Sequence, residues 1–140
     1  MSNQRVIYIL LGATIMLLIG TSIYYCFRMP IMAFDIFHIY PKGLLGYNTD
    51  NPIIYFFAFC LPDALWYMSL LQIQSLFFEE RGWLNRLLVD TAISLPFLLE
   101  MGQFFEFISG TFDWWDILTY CITLIVFLCL RKTSLLQPSK

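Results

Sequence analysis

Ten acids and eight Lys or Arg residues are spread over 140 residues, and the acids that interrupt apolar runs are the ones able to do chemistry. Glu100 and Gln103 stand one turn apart at the end of one run, Asp116 opens the next, and Asp63 interrupts an earlier one. A carboxylate in such a setting is costly and needs a partner; alone it holds its proton. At about 100° per residue, Pro96, Glu100 and Gln103 share one helical face. Asp116, Thr119, Tyr120 and Thr123 follow the spacing i, i+3, i+4, i+7, a polar stripe that should face protein and not lipid. Asp63 is followed one turn on by Trp66 and Tyr67. The candidate binding set is therefore Asp63, Trp66, Glu100, Gln103, Asp116 and Tyr120. Glu100 and Asp116 would accept hydrogen bonds and Gln103 and Tyr120 would donate them, which suits amines or hydroxyl-rich groups such as sugars.

Plainer roles compete for several of these residues. Asp113 and Asp116 fit an N-cap followed by an N3 acid, and Asp63 fits a helix start. Gln103 fits a helix-to-helix hydrogen bond, and Arg86 with Asp90 an i, i+4 pair. Glu79-Glu80-Arg81 reads as a solvated turn and His38 as a surface residue. Glu100 is the hardest to explain structurally.

Catalysis and metal binding find little support. His38 is the only histidine and lies outside the apolar runs, so an intramembrane serine protease lacks its base. No Gly-x-Gly-Asp motif is present for an aspartyl protease. One histidine and the scattered Cys26, Cys60, Cys121 and Cys129 do not make a zinc site; without CxxC spacing they read as small buried hydrophobes. The usual basic residues of a phosphatase are missing. No catalytic residue, metal ligand or cofactor is assigned, and a non-enzyme is the favoured reading.

The composition states what must position these groups. The chain is 59% hydrophobic, 19% aromatic and 13% charged, with mean hydropathy +0.71. Soluble domains carry about a quarter charged residues, and a disordered chain is poor in aromatics. Lys and Arg do not outnumber Asp and Glu and form no run, which argues against nucleic acid. The class is an all-α polytopic membrane protein, one domain over residues 1–140, placed in the cell (inner) membrane as a multi-pass protein.

About 20 apolar residues cross a bilayer core of about 30 Å as a helix. Spans are predicted at 6–27, 62–78, 84–105 and 114–130. The first is too long, and ends in residues too large, for a cleaved signal peptide. The second admits two geometries. One helix from Ile53 would bury Asp63 about 15 Å deep. A start at Pro62 uses Pro and Asp where a first turn favours them and is preferred, with Ile53 to Cys60 interfacial. The positive-inside rule puts Arg5, Arg81, Arg86, Arg131, Lys132 and Lys140 inside and Arg28 and Lys42 outside, so both termini are expected in the cytoplasm. Residues 28–61 form an interfacial extracytoplasmic segment, and 106–113 a short turn on the same side. Trp114 and Trp115 are interface anchors. Asp35, Asp50, Asp63, Glu100, Glu106, Asp113 and Asp116 then lie toward the outer side, against Glu79, Glu80 and Asp90 toward the inner.

The run Leu99-Glu100-Met101-Gly102-Gln103-Phe104, a short turn, and Asp116 opening an apolar helix resembles the VanZ-like family of small bacterial membrane proteins. Those proteins carry Glu-x-x-Gln at the end of one span and Asp in the next; Pro62-Asp63-Ala64-Leu65-Trp66 stands where the family has an earlier Asp motif. The resemblance covers residues 61–130. Ala64 replaces a usual basic residue, no base lies between Phe104 and Trp115, and Tyr120 replaces a common Asn. What the resemblance implies is a cell-envelope protein, of a family linked to glycopeptide resistance. Two readings follow: an outer-leaflet polar pocket for a lipid head group or lipid-linked envelope precursor, or a structural subunit of a larger membrane protein partner. An ion pathway fits less well, because the inner halves of the first and last spans are almost wholly apolar.

Overall fold

A computed structural model describes residues 3–27, 51–77 and 82–132. Arg28, Asp35, His38, Lys42 and Asp50, of the segment expected to be extracytoplasmic, lie outside the described residues, as do Glu79, Glu80, Arg81 and Lys140. The described chain is helical: α1 is Asn3–Phe27, α2 is Pro52–Gln74, α3 is Trp83–Phe104 and α4 is Trp114–Lys132. All four are long and apolar enough to cross a membrane. At about 1.5 Å per residue the 22 residues of α3 reach about 33 Å. The first, third and fourth predicted spans coincide with α1, α3 and α4 to within three residues at each end.

The second helix differs from its preferred reading. It starts at Pro52, not Pro62, and ends at Gln74 instead of 78. Asn51 caps it, its side chain accepting from the Ile53 amide at 3.0 Å, and Pro52 occupies the first turn. The chain then makes one π-helical stretch, Phe56–Cys60, before the α-helix resumes at Leu61. Pro62 supplies the reason. It has no N–H, and its ring crowds the carbonyl four residues back, that of Ala58. A wider turn relieves that clash without ending the helix. Ile53 to Cys60 is therefore helix, and Asp63 lies about eleven residues, or about 16 Å, from the start.

Contacts fix the arrangement. Along α1 and α2, Tyr24 meets Asp63, Gly20 meets Trp66, Ala13 meets Ser69 and Gly12 meets Gln72, so the two run antiparallel. Tyr67 against Ile93 and Gln74 against Leu88 make α2 and α3 antiparallel. Tyr55 against Asp113 and Cys60 against Thr119 make α2 and α4 parallel. Among the described helices, α1 touches the others only through α2, which is the hub.

The α1–α2 seam depends on small residues, as membrane helices with little hydrophobic drive between them require. Ile9, Ala13, Gly20 and Tyr24 are the buried positions of α1. The Ser69 hydroxyl crosses the seam and donates to the Ala13 carbonyl at 2.9 Å. On the other side of α2, the core is Tyr67, Leu71 and Phe127, surrounded by Met68, Leu70, Ile93, Phe97, Tyr120 and Leu124. Pro96 lies inside α3, which continues through it. The Tyr67 hydroxyl donates to the Ile93 carbonyl at 3.0 Å, in the turn that Pro96 loosens.

The α3–α4 turn is built by backbone geometry. The amides of Glu106 and Phe107 donate to the carbonyls of Gln103 and Gly102 at 3.0 and 2.8 Å. This is a Schellman closure, with Glu106 at the left-handed position (φ 59°).

Candidate functional site

The register brings one end of every helix together: the C-terminal ends of α1 and α3 and the N-terminal parts of α2 and α4. The acids gather there in two layers. In the outer layer, Asp113 caps α4, its Oδ1 accepting from the Trp115 amide at 2.9 Å. Its Oδ2 accepts a short hydrogen bond from the Tyr55 hydroxyl of α2. The Asp113 amide points toward Glu100 Oε2 at 3.4 Å, which links α4 to α3. Glu100 is 5% exposed, so its carboxyl has been drawn fully into the bundle. Asp116 follows one turn after the cap, within electrostatic reach of both Tyr55 and Cys60.

The inner layer is Asp63, buried in mid-helix. Tyr24 of α1 donates to its Oδ1 at 3.3 Å. The Tyr24 ring also stacks on Trp66, with centroids 4.7 Å apart and planes 10° from parallel. Trp66 fits because Gly20 has no side chain; a Cβ there would lie 2.7 Å from the indole. The indole N–H is buried against α1 without a hydrogen-bond partner.

Cys60 joins the layers. Its thiol is hydrogen-bonded with the Thr119 side chain and lies within reach of Asp63, Asp113 and Asp116. The π-helical stretch ends at this residue, so the wider turn that Pro62 requires also sets how Tyr55 and Cys60 face α4.

Of the six predicted site residues, Asp63 and Trp66 meet at Tyr24, while Glu100 and Asp116 flank Asp113. Gln103 sits on the turn instead, its side chain lying where a Cβ on Gly110 would go. Tyr120 meets Tyr67 and Phe97 edge-on at 5.5 and 5.9 Å, within the aromatic core. Thr119 and Thr123 are buried, as the polar stripe requires. The sequence reading missed Tyr24, Tyr55 and Cys60. Tyr24 gave no signal inside a uniformly apolar run. Tyr55 and Cys60 were hidden because their segment was read as interfacial and not as helix, although Asn51-Pro52 is a helix-start signal.

The cysteines differ in setting: Cys60 is buried, Cys26 half-buried, and Cys121 and Cys129 exposed, contrary to the expectation that all are buried. Among the described residues no group of three or more His, Cys, Asp or Glu is placed to hold a metal ion. Arg86 and Asp90 line a separate hollow with Gly82, Trp83 and Leu87 at the opposite end of the bundle. No protein-family model matches the chain, and neither does any curated protein or solved structure.

Proposed function

We propose that this chain is a VanZ-like integral membrane protein of the bacterial cell envelope. Its acidic cluster receives the head group of a lipid, or of a lipid-linked envelope precursor, near the outer leaflet. The observation that carries the reading is the gathering of Glu100, Asp113 and Asp116 at one end of the bundle, with Asp63 in mid-helix beneath them, among the hydroxyls of Tyr24, Tyr55 and Thr119. Hydrocarbon does not tolerate carboxyls singly, and Glu100, Asp113 and Asp116, close to the helix ends, suit ammonium or hydroxyl groups. The described Arg5, Arg86 and Arg131 stand at the other end. By the positive-inside rule that end is cytoplasmic, with both termini, and the acids face outward. Reporters fused to each terminus test the orientation; one terminus outside overturns it.

Native mass spectrometry of the detergent-purified protein tests the site, with phosphatidylethanolamine and phosphatidylglycerol as probes. The unaltered chain is expected to retain the amine-bearing lipid preferentially. Glu100→Gln and Asp116→Asn are expected to lose that preference while keeping membrane abundance and helicity. Equal retention of both lipids by the unaltered chain overturns the reading.

A structural or assembly subunit is the second reading, and one observation favours it. The bonds of these acids run between helices: Tyr24 to Asp63 joins α1 and α2, Tyr55 to Asp113 joins α2 and α4, and the Asp113 amide to Glu100 joins α4 and α3. On that reading Glu100→Gln lowers abundance, and a large partner copurifies in fixed ratio.

A further inference from the structure

The turn between α3 and α4 has the wrong surface for a loop in water. Phe107 is 83% exposed and Trp114 71%, and Phe104, Phe105 and Trp115 are all more than half exposed. The rings are not splayed at random. Phe104 meets Phe105 and Phe112 at 5.2 and 5.0 Å, Phe105 meets Phe107 at 6.0 Å, and Phe112 meets Trp114 at 4.9 Å. They form a connected aromatic tip.

We propose that this tip lies within the bilayer interface as an aromatic wedge, its occupant being lipid and not water or protein. Three observations carry this. First, the tip is continuous with the apolar outer faces of the bilayer-length helices it joins, through Leu98 and Met101 on α3 and Leu118 and Ile122 on α4, all exposed. Second, backbone entering an apolar medium must satisfy its own polar groups. The amides of Phe105, Glu106, Phe107 and Ile108 all donate to carbonyls of α3's last turn. Third, the side chain of Ile108 folds back over Gly102, where a Cβ would meet its Cδ1 at 2.6 Å. The turn is thus closed against its own helix and presents rings outward. Glu106, exposed on the tip, fixes the depth: a carboxylate is tolerated among head groups, not in hydrocarbon, and Trp114 and Trp115 favour the same level. None of this depends on the acidic cluster binding anything.

A nitroxide at Ser109→Cys tests the depth, in a chain with Cys26, Cys121 and Cys129 changed to alanine and reconstituted in phosphatidylcholine vesicles. Its oxygen-to-nickel accessibility ratio is expected between that of free aqueous label and that of the same label at Ile122→Cys. A ratio equal to the aqueous label overturns the proposal. So does exclusion of both reagents, or dipolar broadening that reveals a second copy. Should the alanine background fail to fold, Phe107→Trp in the otherwise unaltered chain gives an independent reading. Lipids brominated near the head group are expected to quench the added fluorescence more than lipids brominated near the chain ends. Quenching by aqueous acrylamide with no effect of either bromine overturns the proposal.

Discussion

Replacing Gly20 by alanine tests the seam on which the inner layer of the acid cluster, Asp63, rests. In an exposed helix this change stabilises by about 1 kcal/mol, because glycine is the poorer helix former. Here the new methyl group would lie 2.7 Å from Trp66 Cδ1, 2.8 Å from Nε1 and 3.2 Å from the Pro62 carbonyl. Carbon atoms rest at about 3.5–4.0 Å, so the indole must retreat by about 1 Å. It has little freedom to do so, because it stacks on Tyr24, which in turn donates to Asp63. Overpacking of this kind costs about 1–3 kcal/mol. The net expectation is a loss of up to about 2 kcal/mol, once the propensity gain is set against the overpacking cost. The sign should reverse when the ring is gone: in a Trp66→Leu chain, where only the Pro62 carbonyl still crowds the methyl group, Gly20→Ala should stabilise by up to about 1 kcal/mol. The four chains of this double-mutant cycle are unfolded by SDS in mixed micelles and followed by circular dichroism. If alanine stabilises equally with and without Trp66, the indole does not lie on Gly20. The placement of Tyr24 against Asp63 then fails with it.

Other expectations follow from single contacts. Glu106 pays about 1–2 kcal/mol for its left-handed conformation, so Glu106→Gly should raise unfolding stability in the same assay by about 0.5–1 kcal/mol, after glycine's greater unfolded-state freedom; a loss would mean the side chain does something the backbone does not show. Asp113→Ala removes both the α4 cap and the acceptor of Tyr55, and should cost about 1–2 kcal/mol. Asp113→Asn keeps a capping oxygen and should cost less, so equal losses would point away from capping. Ser69→Ala deletes the hydrogen bond to the Ala13 carbonyl; interhelical bonds in membranes average about 0.6 kcal/mol, and a loss of that size should leave the Tyr24–Asp63 contact intact by near-ultraviolet dichroism.

The physics that made some of this legible is also what hid the rest. Hydropathy alone found α1, α3 and α4, because in a bilayer the length of an apolar run is the length of the helix. The start of α2 is misread on other grounds, because proline and aspartate in sequence carry the same meaning at a helix start and at a π-helical insertion. The cap at Asn51 and the packing of Tyr55 and Cys60 against α4 separate the two. The period of α4 identified Asp116, Thr119 and Thr123 as inward-facing, since a polar stripe on an apolar helix has one place to go. The same stripe placed Tyr120 among the polar groups, whereas its ring serves the core with Tyr67 and Phe97. Tyrosine is apolar over most of its surface and polar at one atom, so periodicity registers the side of the helix it occupies and not which of those two properties is used there. Tyr24 shows the reverse. On a helix apolar all round no face is marked, yet its hydroxyl reaches Asp63, the acid farthest from a helix end among the described residues. Asp63 can therefore lie about 16 Å along α2 because its hydrogen-bond donor comes from another helix, and sequence spacing carries no record of a donor supplied across a seam.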